Sequence, residues 1–182
     1  LLICRFEVDF LKMMIRVCLG EGSYANVVSV VSEEFFSISS LNATRMRNAS
    51  NMHSLLEALE GSRYYKVITS MYSREKEPTL FEFETTLDIY YFTQAKNLMD
   101  KILTGKTKED VEHCIGTEAD LMNLLWIFRA KQYYNMSREL IYSFLIPVHY
   151  KLSDKQLIEI VESDDVNAVY EAAAKTKYAQ VF

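Results

Sequence analysis

Residues 117–131 read TEADLMNLLWIFRAK. They begin the densest apolar and aromatic part of the chain, which continues to residue 152 and holds the only Trp. Large apolar side chains recur here at helical spacing: Leu121, Leu124, Leu125 and Phe128. Two cations, Arg129 and Lys131, lie near the end, where they favour the helix dipole. The stretch predicts a helix that is apolar nearly all round and lies in the middle of a helical core.

The start of this helix is predicted from capping residues. Thr117 with Asp120 three positions later resembles a capping box, in which a hydroxyl and a carboxylate accept hydrogen bonds from free helix N–H groups. Thr107 and Asp110 form a similar pair before it, and Gly116 separates the two. We therefore expect one helix from Thr107 that Gly116 interrupts and a second that begins at Thr117.

The pattern of the central helix recurs near the N-terminus. Glu7-Val8-Asp9 matches Glu118-Ala119-Asp120 at an offset of 111 residues, and apolar pairs follow both. A second match sets Glu57-Ala58 on Glu171-Ala172 at an offset of 114, with Ser62-Arg63-Tyr64 set on Thr176-Lys177-Tyr178. Two ordered matches at nearly one offset predict an internal duplication of about 110 residues. The expected repeats are 1–105 and 106–182, the second truncated.

Composition bounds the class of protein. The chain has 182 residues, of which 49% are hydrophobic and 25% charged, with a net charge of −5. The acidic balance provides no electrostatic footprint for nucleic acid. Five glycines and two prolines are too few for a chain of many tight β-turns. No run of about 18 uncharged apolar residues is present to span a membrane. The fold class predicted is all-α, as pseudo-repeated helical bundles without a sheet.

Local patterns place the other elements. Helices are predicted at residues 6–19, 52–60, 62–74, 80–103, 136–145 and 154–162, with further helices after Asp164-Asp165. Capping boxes are predicted for Thr79 with Glu82 and for Ser153 with Gln156. Residues 24–31 are a candidate short helix, and the Ser/Asn-rich run 37–51 is a candidate loop.

The sequence carries no catalytic or metal-binding signature. The three cysteines match no zinc or disulfide spacing, and His53, His113 and His149 lie far apart. No Glu-x-x-His pair for a di-metal bundle and no nucleophile or phosphate-loop motif is present. We expect no catalytic residue, no cofactor and no metal.

Twelve tyrosines include three adjacent pairs, at 64–65, 90–91 and 133–134. On a helix, one ring of such a pair can enter the core while the other lies about 100° round the axis. Tyrosine is also enriched at the cores of protein interfaces. Amphipathic packing and a protein-binding surface both remain open for these pairs.

Four motifs in order resemble one family. They are LEALEGSRY at 56–64, ETTLDIYY at 84–91, EADLMN with IFRAK at 118–131, and Leu145-Ile146-Pro147 with Tyr150 and Leu152. This set resembles the C subunit of archaeal and bacterial V-type ATPases, whose eukaryotic counterpart is the d subunit. The resemblance marks six positions as family-motif residues with structural roles: Asp88, Tyr91, Asp120, Asn123, Arg129 and Pro147.

The resemblance implies a funnel-like protein of three-helix bundles, longer than this chain. Such a protein sits on the cytoplasmic face of the membrane rotor ring, peripheral to the membrane, and sockets central shaft subunits D and F. Its role would be mechanical coupling for proton or sodium transport, without an active site. Two positions depart from the expected pattern: His149 replaces the usual Gly after the Pro, and Lys12 stands where the second copy has Asn123.

Two alternatives remain open at this point. A helical-repeat adaptor for another protein partner would show further copies of the unit, and a helical enzyme would need a pocket of convergent polar groups. The chain begins at Leu1 inside a periodic pattern and stops at Phe182 within the second copy. We expect it to be a piece of a larger protein. The pattern distinguishes neither the ion nor the direction of ATP turnover.

Overall fold

The computed structural model describes residues 2–23, 27, 32–72 and 77–181. Over these residues the protein is all-α, as predicted, with no strand. The helices are α1 Leu2–Cys18, α2 Glu33–Ile38, α3 Ala43–Asn48, α4 Met52–Leu59, α5 Tyr65–Thr69, α6 Leu80–Ile102, α7 Gly105–Tyr133, α8 Arg138–Phe144, α9 Asp154–Glu162 and α10 Val166–Ala173, followed by a 3-10 turn at Ala179–Val181. None of these helices combines the length and the apolar character that crossing a membrane requires.

The chain divides into two compact units, Leu1–Tyr91 and Phe92–Phe182, and the division falls inside α6. The predicted repeat boundary at 105/106 and the duplication itself stay predictions.

Unit 1 is built on α1, which packs against α4. The buried face of α1 carries apolar residues at helical spacing: Val8, Leu11, Met14 and Ile15. An aromatic cluster extends this core, in which Phe10, Phe35 and Phe36 lie with ring centroids 5.2–5.7 Å apart. The periodic pattern of the sequence therefore defines the inward face of α1.

Unit 2 is built on α7, whose apolar side chains enter one cluster with those of α8, α9 and α10. The cluster members on α7 are Leu124, Ile127 and Ala130. Across from them, α9 contributes Ile160 and Val161. The apolar stretch 117–131 thus forms the centre of this core.

Helix starts follow their capping chemistry. Ser153 and Gln156 form the predicted capping box of α9, and Thr79 and Glu82 form the one before α6. Asp165 caps α10, with its carboxylate accepting from the Ala168 N–H at 2.8 Å. These local rules place the helix starts at 80, 154 and 166 without any knowledge of tertiary packing.

Three sequence-based predictions are wrong. Helix α7 runs unbroken through Gly116, so no helix begins at Thr117 and no capping box forms there. The candidate loop 37–51 contains α3, which Asn42 caps by accepting from the Arg45 N–H. The helix expected at 62–74 is reduced to Tyr65–Thr69. Most of the candidate helix 24–31 lies outside the described residues.

Candidate functional site

A group of buried residues with polar contacts lies on one face of α7. Gly116, Asp120 and Asn123 follow at i, i+4 and i+7, so they share that face, and all three are buried. Their partner is the non-helical run between α8 and α9. We call residues 145–152 the tethered segment, because Asp120 and Asn123 hold its backbone.

Asp120 accepts four hydrogen bonds. Its carboxylate receives the backbone N–H groups of Tyr150 at 3.1 Å, Lys151 at 2.7 Å and Leu152 at 3.0 Å. The hydroxyl of Tyr178 donates the fourth bond at 2.7 Å. Three consecutive backbone amides that lie outside any helix thus donate to one fully buried carboxylate. The carboxylate provides the acceptor that the surrounding backbone does not.

Asn123 holds the other end of the tethered segment. Its Oδ1 accepts the Ile146 N–H at 2.8 Å, and its Nδ2 donates to the Ile146 carbonyl at 3.1 Å. The two bonds satisfy both backbone groups of Ile146, which is fully buried. Pro147 follows, exposed, between the buried Ile146 and Val148. The segment is therefore anchored on both sides of its proline.

Gly116 allows the closest approach between α7 and the tethered segment. A Cβ at this position would lie 2.6 Å from the Tyr150 Cβ and 2.9 Å from its Cγ. Neither distance is compatible with van der Waals radii. His149, which stands where the family pattern has Gly, points to the helix that follows, with Nε2 3.2 Å from Asp154 Oδ1.

Unit 1 contains a related arrangement around Glu7, which is also fully buried. The Glu7 carboxylate accepts the Tyr64 hydroxyl at 2.7 Å. It also accepts the Ser40 N–H at 2.6 Å and the hydroxyls of Ser39 and Ser40 at 2.8 and 2.9 Å. In each unit a carboxylate of a long helix is therefore buried against a tyrosine hydroxyl and a following backbone segment.

The residues of the two arrangements are separated by nearly the same number of positions. Glu7 and Asp120 stand 113 residues apart, and Tyr64 and Tyr178 stand 114 apart. Asp9, the predicted counterpart of Asp120, is instead half exposed and pairs with Arg5 of the preceding turn at 3.3 Å. By environment, Glu7 resembles Asp120 more than Asp9 does, while the duplication and its predicted alignment stay predictions.

Hydrogen bonding determines the ionisation of Glu7. Burial alone raises its pKa, but the bonds from Tyr64, the Ser40 amide and the two serine hydroxyls outweigh burial and lower the pKa below its usual value. Burial, together with the bonds to Cys4 and Glu7, raises the pKa of the Tyr64 hydroxyl. Burial and the bond to Asp120 likewise raise the pKa of Tyr178. Both phenols stay protonated donors.

Replacing Tyr64 with Phe is expected to lower the free energy of unfolding at pH 7 by about 1.5 kcal/mol, because a charge-assisted hydrogen bond to a buried carboxylate is lost. A lowered folded-state pKa stabilises the protein above about pH 4.3 and ceases to do so as the pH falls through that lowered pKa. The loss should therefore shrink between pH 7 and pH 3. Urea unfolding at both pH values measures it. Tyr65→Phe is the control, since its hydroxyl bonds to none of the described residues; equal losses from both variants would contradict the assignment.

Asp88, on α6, forms the buried ion pair of unit 1 with Lys12 of α1. Burial raises the pKa of Asp88, against the opposing effect of the Lys12 charge and hydrogen bond. Tyr91, one turn further along α6, is buried under the Arg5 guanidinium, which lies 5.2 Å from its ring centroid. Both family-motif positions of this helix thus contact cations of α1.

Replacing Lys12 with Met should cost about 2 kcal/mol at pH 7, because Asp88 is left buried without its main counter-charge. The pKa of Asp88 then rises further. Because the folded-state pKa of Asp88 is raised, the folded protein loses stability as the pH rises and Asp88 ionises. The cost of Lys12→Met should therefore be smallest below about pH 4, where Asp88 is protonated in both states. Denaturant unfolding between pH 4 and 8 tests this, with the double variant Lys12→Met/Asp88→Leu as the control that restores stability. A cost independent of pH would contradict the ion-pair account.

The six family-motif positions therefore separate into three groups. Asp120, Asn123 and Pro147 meet at the tethered segment, and Asp88 and Tyr91 face α1 in unit 1. Arg129 lies exposed on α7 and has no ion-pair partner among the described residues. Sequence reasoning missed Gly116 and Glu7 as contact residues. Tyr64 and Tyr178 were aligned with each other in the second repeat match, but the sequence did not show that their hydroxyls bind buried carboxylates.

Among the described residues, no group of three or more His, Cys, Asp or Glu side chains is placed to hold a metal ion. The hydrogen bonds of Asp120 and Asn123 at the tethered segment all go to partners within the chain, and they bind backbone to helix. The chemistry of this arrangement is therefore that of a structural tether.

Comparison with known proteins gives a family match and two similar curated proteins. The family model described as "ATP synthase (C/AC39) subunit" matches residues 1–182. The chain is 27% identical over 138 residues to a protein from Methanosphaera stadtmanae that is named as the C subunit of an A-type ATP synthase, and the match covers 75% of this chain and 35% of the relative. A protein of the same name from Methanobrevibacter smithii is 27% identical over 135 residues, 74% and 35% of the two chains. The chain thus spans about a third of the length of these curated relatives.

Proposed function

This chain belongs to the family of ATP synthase (C/AC39) subunits, and from this membership we propose that it is a non-catalytic central-stalk subunit of a rotary A/V-type ATP synthase or ATPase. In this role it couples the central shaft to the membrane rotor ring. The observation that carries the proposal is the family match along residues 1–182, with two curated relatives named as ATP synthase subunits in support.

The buried tethers are consistent with a mechanical part. A subunit that passes torque must resist deformation, and the weakest parts of a helical protein are its connections. The Asp120 and Asn123 bonds hold one such connection to α7 at both ends. In unit 1 the Glu7 carboxylate holds Ser39 and Ser40, which connect α2 to α3. Rigid connections suit torque transfer.

The proposed partners are shaft subunits D and F on one side and the rotor ring on the other. The protein would act at the cytoplasmic face of the membrane as a peripheral part of the complex, moving protons or sodium ions only through its partners. A general helical adaptor for some other protein is the competing role.

Co-purification tests the proposal. The full-length parent protein, carrying an affinity tag, is isolated from native membranes under conditions that keep the ATPase intact, and its partners are identified by mass spectrometry. We expect shaft, ring and catalytic subunits in stoichiometric amounts. A tagged unrelated cytoplasmic protein serves as the control. Recovery of no ATPase subunit from an intact enzyme preparation would favour the adaptor role instead.

A further inference from the structure

Two ion pairs join α1 to α6 within unit 1. Lys12 of α1 pairs with the buried Asp88 of α6. One turn further along α1, Arg16 donates from Nε at 2.6 Å and from Nη2 at 2.5 Å to Oε1 of Glu84, which lies one turn before Asp88 on α6. The residue numbers rise on α1 as they fall on α6, so the two helices run antiparallel with one ion pair per turn. We call these four residues the charge ladder.

The apolar residues of the two helices recur at the same interval as the ladder. Leu11 and Ile15 are buried on α1, and Phe83 and Leu87 are buried on α6. Side chains four residues apart lie on one face of a helix, one turn above each other. The apolar pattern therefore repeats after a displacement of one turn. Because the hydrophobic effect is non-directional, it distinguishes the two alignments only weakly.

The charge ladder distinguishes the alignments strongly. A displacement of α6 by one turn in one direction would set Lys12 against Glu84 and leave Asp88 without its cation. The opposite displacement would set Arg16 against Asp88, and Lys12 and Glu84 would both lose their partners. The side chains of Asp88 and Lys12 are only 4% and 16% exposed, so water cannot replace the lost partner. An unpaired buried charge costs far more than a displaced apolar contact.

We propose that the charge ladder is a lock that prevents α1 and α6 from sliding past each other by one helical turn. One-turn displacements of packed elements are an established form of conformational change in proteins. In some proteins buried ion pairs ensure a unique arrangement rather than adding stability. The lock does not depend on the proposed function, since torque would only add a load that the ladder resists.

The distance between two spin labels tests the lock. The labels are attached to ketone-bearing unnatural amino acids that replace Phe6 of α1 and Thr86 of α6 in the full-length parent, and pulsed electron paramagnetic resonance measures the distance between them. In the test variant all four ladder residues become uncharged: Lys12→Met, Asp88→Leu, Arg16→Gln and Glu84→Gln. We expect a second distance that differs from the first by roughly 3–5 Å, because one helical turn rises about 5.4 Å. The unchanged ladder should give a single distance.

Two further variants separate the lock from a general loss of charge. Arg47→Gln with Glu33→Gln removes an ion pair of unit 1 outside the ladder, and this control should keep a single distance. The rescue variant combines Lys12→Met and Asp88→Leu with Arg16→Glu and Glu84→Arg. Its one reversed ion pair forms only in the native alignment, so it should restore the single distance.

A milder variant tests the lock even if the four-residue variant does not fold. Lys12→Met with Asp88→Leu leaves only Arg16 and Glu84, whose side chains are 49% and 22% exposed. At about 1 M salt the Debye length falls to about 3 Å, so this exposed pair is screened. We expect a single distance at low salt and the second distance at high salt. The unchanged chain should keep one distance at both, since its Lys12–Asp88 pair is buried.

A single distance in the four-residue variant overturns the lock, as does a single distance in the milder variant at high salt. Apolar contacts would then set the alignment, among them the ring of Phe83 5.8 Å from that of Tyr72. A second distance in the Arg47 and Glu33 control, or its persistence in the rescue variant, overturns the lock as well. None of these results changes which subunits co-purify with the parent protein, so the lock and the proposed function fail separately.

Discussion

Replacing Asp120 with Asn is expected to lower the free energy of unfolding by about 3–5 kcal/mol, because a buried carboxylate that only accepts hydrogen bonds is lost. The amide has nearly the shape of the carboxylate, but one of its oxygens becomes an NH2 donor. In the structure both oxygens accept, one from the Tyr150 N–H and the other from Lys151, Leu152 and the Tyr178 hydroxyl. Either orientation of the amide therefore sets a donor against donors in a buried site.

Equilibrium unfolding in urea, followed by circular dichroism, measures this loss. Asp9→Asn is the matched control, because Asp9 occupies the position that the sequence aligned with Asp120 yet is half exposed and pairs with Arg5 at the surface. Its effect should stay within about 0.5 kcal/mol. Similar losses from both substitutions would mean that the buried acceptor is not what holds the tethered segment.

Replacing Gly116 with Ala is expected to destabilise the protein by about 2–3 kcal/mol. In an unconstrained helix the same change stabilises by about 1 kcal/mol, so the predicted sign is opposite to that of helix propensity. The reason is the Tyr150 side chain, whose Cβ would lie 2.6 Å from the new methyl group. Because the Tyr150 and Lys151 amides are bound to Asp120, the segment cannot move away without losing those bonds.

The control is a double variant that adds a methyl group on α7 by Gly116→Ala and removes the facing side chain of the tethered segment by Tyr150→Gly. Tyr150→Gly removes all three side-chain atoms that the methyl group meets, while the backbone N–H that donates to Asp120 remains. In the double variant the Gly116→Ala change should cost at least about 1 kcal/mol less than it does alone, a coupling measured by a double-mutant cycle. Additive costs would show that the close approach at Gly116 is not the cause.

The elements that the sequence predicted well depend on local chemistry. The start of α9 at Asp154 follows from the Ser153 and Gln156 pair, and the long stripe of α6 follows from its period. Such features involve side chains within one turn of each other. The all-α fold class was predictable as well, because few glycines and prolines and a helical period already argue against a sheet.

The misinterpretations of Gly116 and Asp120 have one physical origin, which is contact with a distant part of the chain. A glycine within a helical pattern is interpreted as a break, but Gly116 is there because Tyr150 approaches the helix from outside. Asp120 was interpreted as a capping residue, because its possible donors could be counted only along its own helix. Its real donors lie 30 to 58 residues further on.

The resemblance of Glu7 to Asp120 also depends on contacts with distant residues. Glu7 and Asp9 are both acids of α1, and letters alone align Asp9 with Asp120 because the residue types agree. The environments favour Glu7, whose extra methylene still brings a carboxylate to Tyr64 and Ser40. Arg129 is the opposite case: the sequence marked it as a family-motif position, and only the structure shows that it is exposed on α7.

The carboxylate of Asp120 joins the backbone of residues 150–152 to the hydroxyl of Tyr178, in a turn near the end of the described chain. Local opening of either part must therefore break bonds that the other shares. The connection between α8 and α9 contains no regular structure of its own. Even so, it cannot separate from α7 without losing the hydrogen bonds to Asp120. We therefore expect this connection to open only together with the core of α7, as part of one cooperative folding unit.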